Sequence, residues 1–383
     1  MRYREFKLIE SRVYLKEGAR IDHAEDIVFW EGSRGAIRAL ELLKSLENGK
    51  HTDVTIKWDG SPAIIFGRDE NGEFVLTDKS GFGAKGYDGK SKSPEDLEQM
   101  FLNRSGGKNR ENPKYVEFAG KMRSIFDLYE RATPKDFRGF LKGDLLYYTT
   151  PPVKNNNYVF KPNIVEYAVD VDSDLGKRIG QSKTGVVVHR YIDAEGTESA
   201  VPQGIDFQGN DVLIFPSVTV ERAPEIEDES INQLKATVAK NATAIDKLLD
   251  PAALTQLKIS DFAKVLYAYT NSKVDTGLED LGSDFFDWMA RTSVYMSAKK
   301  KENIAAHIQN NQAGFNAIWQ VVSGVMRIKD DIIRQFDSHN QTVKSSIPGH
   351  GEGGEGYVLA HPEGDVKLVP REYFTRANRA VQR

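Results

Sequence analysis

The sequence contains no cysteine, which excludes disulfides, thiol nucleophiles and cysteine-based zinc sites. It lacks any run of about 18 uncharged apolar residues, the length a membrane-crossing helix needs. The opening stretch, MRYREFKLIESRVYLKEG, mixes charges with short apolar runs and shows no signal-peptide core. Charge of one sign is also missing: 52 Lys and Arg against 56 Asp and Glu give a net charge of −4. That balance excludes a protein that holds nucleic acid by bulk positive charge and leaves a local patch as the route. A soluble, reducing, cytoplasmic setting is the expectation. What the chain does have is core material. Hydrophobic residues make up 39% of 383, with 19 Phe, 15 Tyr and 4 Trp, enough for a folded protein of two or three structural units.

The hydrophobic period changes along the chain. A short strand near the N-terminus is followed by a helix expected over Ser33–Leu46, where Ile37, Leu40 and Leu43 share one face. Residues 52–82 alternate β-branched and aromatic side chains around a turn at Glu70-Asn71-Gly72, the pattern of a hairpin meander. YVEFAGKMRSIFDLYERA suits a helix, and FRGFLKGDLLYY, NIVEYAVDV, GVVVHRYI and DVLIFPSV suit strands bounded by turn residues. From about residue 222 a 3.6-residue period holds for roughly 120 residues. A Gly-rich loop, PGHGEGGEG, then precedes two strand-like runs, YVLA and DVKLVP. This order predicts an α+β protein. Residues 1–220 plus 346–383 form one domain, whose sheet is completed only by late strands, and 221–345 form an all-helical insertion.

The stretch richest in chemistry is Ile56-Lys57-Trp58-Asp59-Gly60. Lys57 ends an apolar strand, where lost hydration favours the neutral, nucleophilic amine. Asp59 is two residues on, placed to orient that amine or to meet a ribose or a metal. The same residues also suit an ordinary hairpin ending in Asp-Gly with a surface lysine.

Further elements accompany it in order. Lys79-Ser80-Gly81 follows the hairpin, Phe140-Leu141-Lys142-Gly143-Asp144 and Gly185-Val186-Val187-Val188-His189 lie on later strands, and Glu355-Gly356-Tyr357-Val358 and Asp365-Val366-Lys367-Leu368 come last. Together they resemble motifs I, III, IIIa, IV and V of the covalent nucleotidyltransferase superfamily, which contains ATP-dependent DNA ligases, RNA ligases and mRNA capping enzymes. The resemblance covers residues 52–220 and 350–374. It departs from the family pattern at Asp144, usually Glu, and at Val369, where a second Lys is usual. Arg371 is the candidate to replace that Lys. The usual aromatic of motif IIIa is absent, and Tyr167 competes for the role of packing against the base.

The resemblance implies a nucleotidyltransferase domain of ATP-grasp-like antiparallel sheets. Too little chain follows motif V for the OB-type barrel that many relatives carry there. It implies that Lys57 becomes covalently adenylylated, with Asp59 and Lys367 as its catalytic partners. Thr55, Ile56, Lys57, Gly60, Lys79, Asp144, Glu355, Lys367 and Arg371 would bind ATP, and Asp144 and Glu355 would hold Mg²⁺ or Mn²⁺. The expected partners are the ends or nicks of DNA or RNA. Pro62, where many DNA ligases have Arg, favours the RNA-ligase type. A monomer is expected, without zinc or membrane attachment, and compact ligases of this kind are often phage-encoded. The alternative is a non-catalytic nucleic-acid-binding module with a degenerate fold. In the helical block, Tyr267, Tyr269, Trp288, Tyr295, Trp319 and Lys299–Lys301 are available for stacking and phosphate contacts. The plainer reading of those aromatics is the block's own core.

Overall fold

The computed structural model describes residues 22–82, 91–202, 204–292, 294, 296–340, 342–349, 351–361 and 365–382. Two compact units emerge, each assembled from separate stretches of chain. Unit one contains Trp58–Ser217 and Gln341–Gly354; unit two contains Arg20–Lys57, Val218–Asn340 and Glu355–Arg383. The fold is α+β with mainly antiparallel sheets, and among the described residues no sheet closes into a barrel. Among the described residues no helix is long and apolar enough to cross a membrane.

Unit one is built on two sheets. In the larger, Thr184–Ile192, Gly139–Tyr147, Ala63–Arg68 and Phe74–Asp78 lie side by side as antiparallel neighbours. Ala63–Arg68 and Phe74–Asp78 form the expected hairpin. Its turn is fixed by the Asp69 carboxylate, which accepts the N–H groups of Asn71 and Glu73 at 3.0 and 2.9 Å. One face of this sheet buries Ile64, Phe66, Leu76 and Leu141 against Phe126 and Tyr129 of the helix Pro113–Ala132. That helix starts where sequence logic puts it, with Pro in the first turn and the Asn112 side chain accepting the Lys114 N–H at 3.1 Å. The second sheet orders Gly351–Glu352, Val343–Ile347, Glu166–Asp170, Asn157–Phe160 and Val153–Lys154.

Unit two places a four-stranded sheet against helices. Its strand order is Asp22–His23, Val366–Leu368, Tyr357–Leu359, Val54–Ile56, so two strands from late in the chain lie side by side between two from early in it. Tyr357, Leu359, Val366 and Leu368 join one apolar core with Leu40 of the helix Ile27–Ser45, Ile231 of Asp228–Leu248, and Ile332 and Phe336 of Gln312–His339. The first of these helices is broken at Gly32 and resumes at Ser33, where the expected Ser33–Leu46 segment begins. Asp246 caps the restart, accepting the Ser33 N–H and hydroxyl at 2.8 Å each.

Several elements differ from the expectation. Val54–Ile56 leaves the meander: it pairs with Tyr357–Leu359, not with the hairpin that follows it in sequence. The compact units are also cut differently from the 221–345 block marked by periodicity. The helices of that block share their core with 24–46 and with the late strands, because their apolar faces are covered by those segments. The stretch beginning FFDW is two helices, Phe285–Arg291 and Ala298–Asn310, the second capped by Ser297. A further helix, Arg371–Gln382, follows the last strand. The short strand expected ahead of the first helix is Asp22–His23.

Candidate functional site

Lys57 is the last residue of unit two's first stretch and Glu355 is the first of its third. The Lys57 amide continues the ladder past Val54–Ile56 by donating to the Gly356 carbonyl at 2.9 Å. Only a glycine suits that position: Gly356 has φ +116°, and a Cβ there would lie 2.2 Å from the Leu368 carbonyl oxygen. This pairing brings Lys57 Nζ onto Glu355 Oε1 across 298 residues of sequence. Both side chains are mostly but not fully buried, at 26% and 15% exposure.

The register shows which other residues share that face. Thr55 is opposite Val358, Val358 opposite Lys367, and Lys367 opposite His23. Residues directly opposite point to one side of a sheet and residues two apart along a strand share it. Thr55, Lys57, Lys367 and His23 therefore occupy the face away from the core. Ile56 occupies the other. It packs against the hydrophobic core, which corrects its expected place among nucleotide contacts.

Arg371 is likewise corrected. Its side chain is 1% exposed and makes a two-pronged bond to Asp26, with Nη1 to Oδ1 at 2.9 Å and Nη2 to Oδ2. It also lies 3.6 Å from Glu25, whose other partner is Lys329 at 2.8 Å. All four side chains are buried, and a guanidinium so enclosed is not presented to a phosphate. Burial opposes the Glu25 charge, but Lys329 and then Arg371 outweigh it and hold the carboxyl at about 2. Burial, reinforced by Arg371, pushes the His23 imidazole well below its ordinary value, so it stands neutral beside Lys367. Nothing in the local sequence marked Glu25 and Asp26 as interior, because acids just before a helix usually serve its N-terminus in solvent.

The remaining predicted residues belong to unit one. Asp59 is 6% exposed and its oxygens are occupied: Oδ1 accepts from Asn163 Nδ2 at 2.9 Å, and Oδ2 accepts the Ile164 and Val165 N–H groups at 2.8 and 3.0 Å. Its own N–H donates to the Tyr167 hydroxyl at 2.6 Å. Asp59, expected to be catalytic, is engaged in holding the segment leading into Glu166–Asp170. Tyr167 is fully buried among Trp58, Phe160 and neighbouring rings, so it is core and no platform for a base. Gly60 approaches the strand Gly139–Tyr147 so closely that a Cβ would sit 2.5 Å from Asp144 Cβ. Asp144 Oδ2 lies 2.9 Å from His189 Nε2, a pairing that sequence spacing did not reveal. Lys79 is exposed at the start of the single helical turn Lys79–Phe82.

Asp144 and Glu355 fall in different units and each has a side-chain partner, His189 and Lys57. Among the described residues no group of three or more His, Asp or Glu is arranged to hold a metal ion. In the helical region, Tyr269 and Trp319 are buried and in ring contact, part of the core. Tyr267 and Trp288 pack partly against it, and Tyr295 lies outside the described residues. Lys300 pairs with Asp261, Lys299 with Glu302, and Lys301 donates to the Ala290 carbonyl.

Neither a curated protein nor a solved structure matches this chain. One family model matches residues 19–383, nearly the whole length, and the chain accordingly belongs to a family of unknown function, DUF6267.

Proposed function

We propose that the protein is an ATP-dependent polynucleotide ligase that works through a lysyl-AMP intermediate on Lys57, with RNA-type end joining favoured over DNA nick sealing. The observation that carries this reading is the direct Lys57–Glu355 pair, on a sheet face that also bears Lys367. These are the residues of the motif I, IV and V resemblances, and all three lie in unit two.

The first step needs a neutral amine. Glu355 is in contact with Nζ and can accept the proton that the amine gives up as it attacks the α-phosphorus of ATP. The P–N bond forms as the bond to pyrophosphate breaks, and pyrophosphate leaves with the electron pair. Lys367 supplies fixed positive charge to the phosphate oxygens, where charge builds up. AMP then passes to a 5′-phosphate end, and a 3′-hydroxyl displaces it to make the phosphodiester. ATP and magnesium are the cofactors of this reading. Magnesium offsets phosphate charge and commonly binds chiefly through substrate phosphates and water. Asp144 and Glu355 are the residues the resemblance assigns to it, and no step here is routed through them as metal ligands.

A second reading, a non-catalytic nucleic-acid-binding module with a degenerate nucleotidyltransferase fold, draws support from motif V. Val369 stands where the second Lys is usual, and Arg371 is closed onto Asp26. One experiment separates the two. Incubated with α-labelled ATP and Mg²⁺, the wild-type protein should acquire a covalent label, and Lys57→Ala should reduce it to background. Mass spectrometry should locate one AMP on the peptide containing Lys57. No label on the wild-type chain would favour the module.

A further inference from the structure

Unit one contains a side-chain pair that the lysine chemistry does not use. Asp144 Oδ2 and His189 Nε2 are 2.9 Å apart, on neighbouring strands, and are 30% and 45% exposed. The strand pairing slips at this point. Lys142 is opposite Arg190 but Gly143 is opposite Val188, so His189 is the extra residue of a β-bulge. A bulge re-aims a side chain, and bulges gather beside functional sites. Here the ring is turned onto a carboxylate.

That carboxylate is itself fixed. Gly60 closes on Asp144 with room for no side chain, the Ser61 N–H donates to the Leu145 carbonyl at 2.8 Å, and the Leu145 N–H donates to the Pro62 carbonyl at 3.0 Å. The charged neighbours on these strands are Lys142, which is closed onto Glu198 at 2.6 Å, and Arg190. A carboxylate that accepts the Nε2–H fixes the tautomer and leaves the lone pair on Nδ1 as the proton acceptor. An oriented, half-exposed imidazole suits a substrate hydroxyl.

We propose that His189, oriented by Asp144, accepts the proton of the attacking hydroxyl in the final joining step. The inference rests on the ligase reading and deepens it. In the ligase reading Glu355, in contact with Lys57 Nζ, serves the lysine step, and His189 is assigned to the hydroxyl step. The acceptor's 3′-oxygen bonds to the 5′-phosphorus, the bond from that phosphorus to AMP breaks, and AMP leaves with the electron pair. The hydroxyl proton moves to His189 Nδ1. His189 is thus a catalytic residue, and Asp144 is a positioning residue acting through it.

The test uses the full chain and two readouts. One is lysyl-AMP formation from labelled ATP; the other is joining of a chemically 5′-adenylylated RNA oligonucleotide to a 3′-hydroxyl RNA, which bypasses Lys57. His189→Ala should lower the second by about 10²–10⁴-fold and leave the first unchanged. Added imidazole should restore part of the lost joining. His189→Gln should behave like His189→Ala but without rescue, and Asp144→Asn should lose joining to a smaller degree. Wild-type joining rates in His189→Ala, or an equal loss of lysyl-AMP formation, would overturn the role of His189 while leaving the ligase reading intact. A wild-type chain that forms no lysyl-AMP and joins no adenylylated ends would overturn both.

Discussion

The two units treat their interior charges in opposite ways. Unit one, among its described residues, buries one acid, Asp59, which receives N–H groups from the chain around it, and one cation, Arg68, which donates to backbone carbonyls. Unit two, among its described residues, buries Asp365 and a network of Glu25, Asp26, Lys329 and Arg371 that pair with one another. The first arrangement is a local clasp between a tight turn and a strand entry. The second ties the start of one helix to the middle of another and to the residue that follows the last strand of the sheet. The strand it anchors, Val366–Leu368, is the one that bears Lys367. The comparison teaches that the sheet carrying the candidate lysines is held in register from its outer edge by ions, not only by its apolar face.

Breaking this network should have the larger effect. Lys329→Met leaves Glu25 buried beside a neutral side chain, and losing one partner of a buried pair costs about 3–5 kcal/mol. Calorimetry of the variant should show a lower melting temperature. Hydrogen exchange should show the loss of protection in the segments of unit two, with those of unit one spared. Acid should be next in size. The Glu25 carboxyl stays ionised to about 2 when folded, against 4.5 ordinarily, so at low pH the unfolded chain takes up the proton first. Its contribution is present above about pH 5 and lost as pH falls through the low range, on the order of 3 kcal/mol in all. His23, depressed by burial, acts in the same direction at higher pH. Burial pushes the carboxyls of Asp26 and Asp330 up to about 6, which works in the opposite direction, so the Glu25 share is read as a difference: the stability gap between wild type and Glu25→Gln should shrink as pH falls from about 5 toward 2 in denaturation curves. The smallest effect belongs to unit one. Asp59→Ala removes the acceptor of two backbone N–H groups and an Asn163 amide, at about 1–3 kcal/mol. If Asp59 is a clasp, the loss should show in stability and in exchange at Ile164 and Val165.

What the sequence made legible follows the reach of each signal. The helix restarting at Ser33, the hairpin around Gly72 and the long helices after residue 222 are local patterns, and local periodicity found them. The late strands were readable as strands that complete a sheet, but their pairing with Val54–Ile56, which local alternation had joined to the hairpin, is set by register across about 300 residues of chain. Lys57 and Glu355 were singled out by motif, while their direct contact is a property of the sheet register. The helix Arg371–Gln382 was missed: strong charge along its length hides an amphipathic pattern in so short a segment. Arg371 and Asp59 were assigned to chemistry by position within a motif, whereas their burial depends on partners 345 and 104 to 106 residues away. The bulge that turns His189 onto Asp144 leaves no trace in one strand alone, since it is a mismatch between two.

The strand order of unit two also sets a timetable. Lys57 is made early, but its carboxylate partner and both central strands of its sheet come about three hundred residues later in synthesis. A nascent chain that has not yet emerged beyond residue 368 cannot close that sheet, and contacts so distant in sequence form slowly. Lys57 therefore meets Glu355 only after both late strands have been made, and a chain ended before residue 355 would carry the lysine without its carboxylate partner.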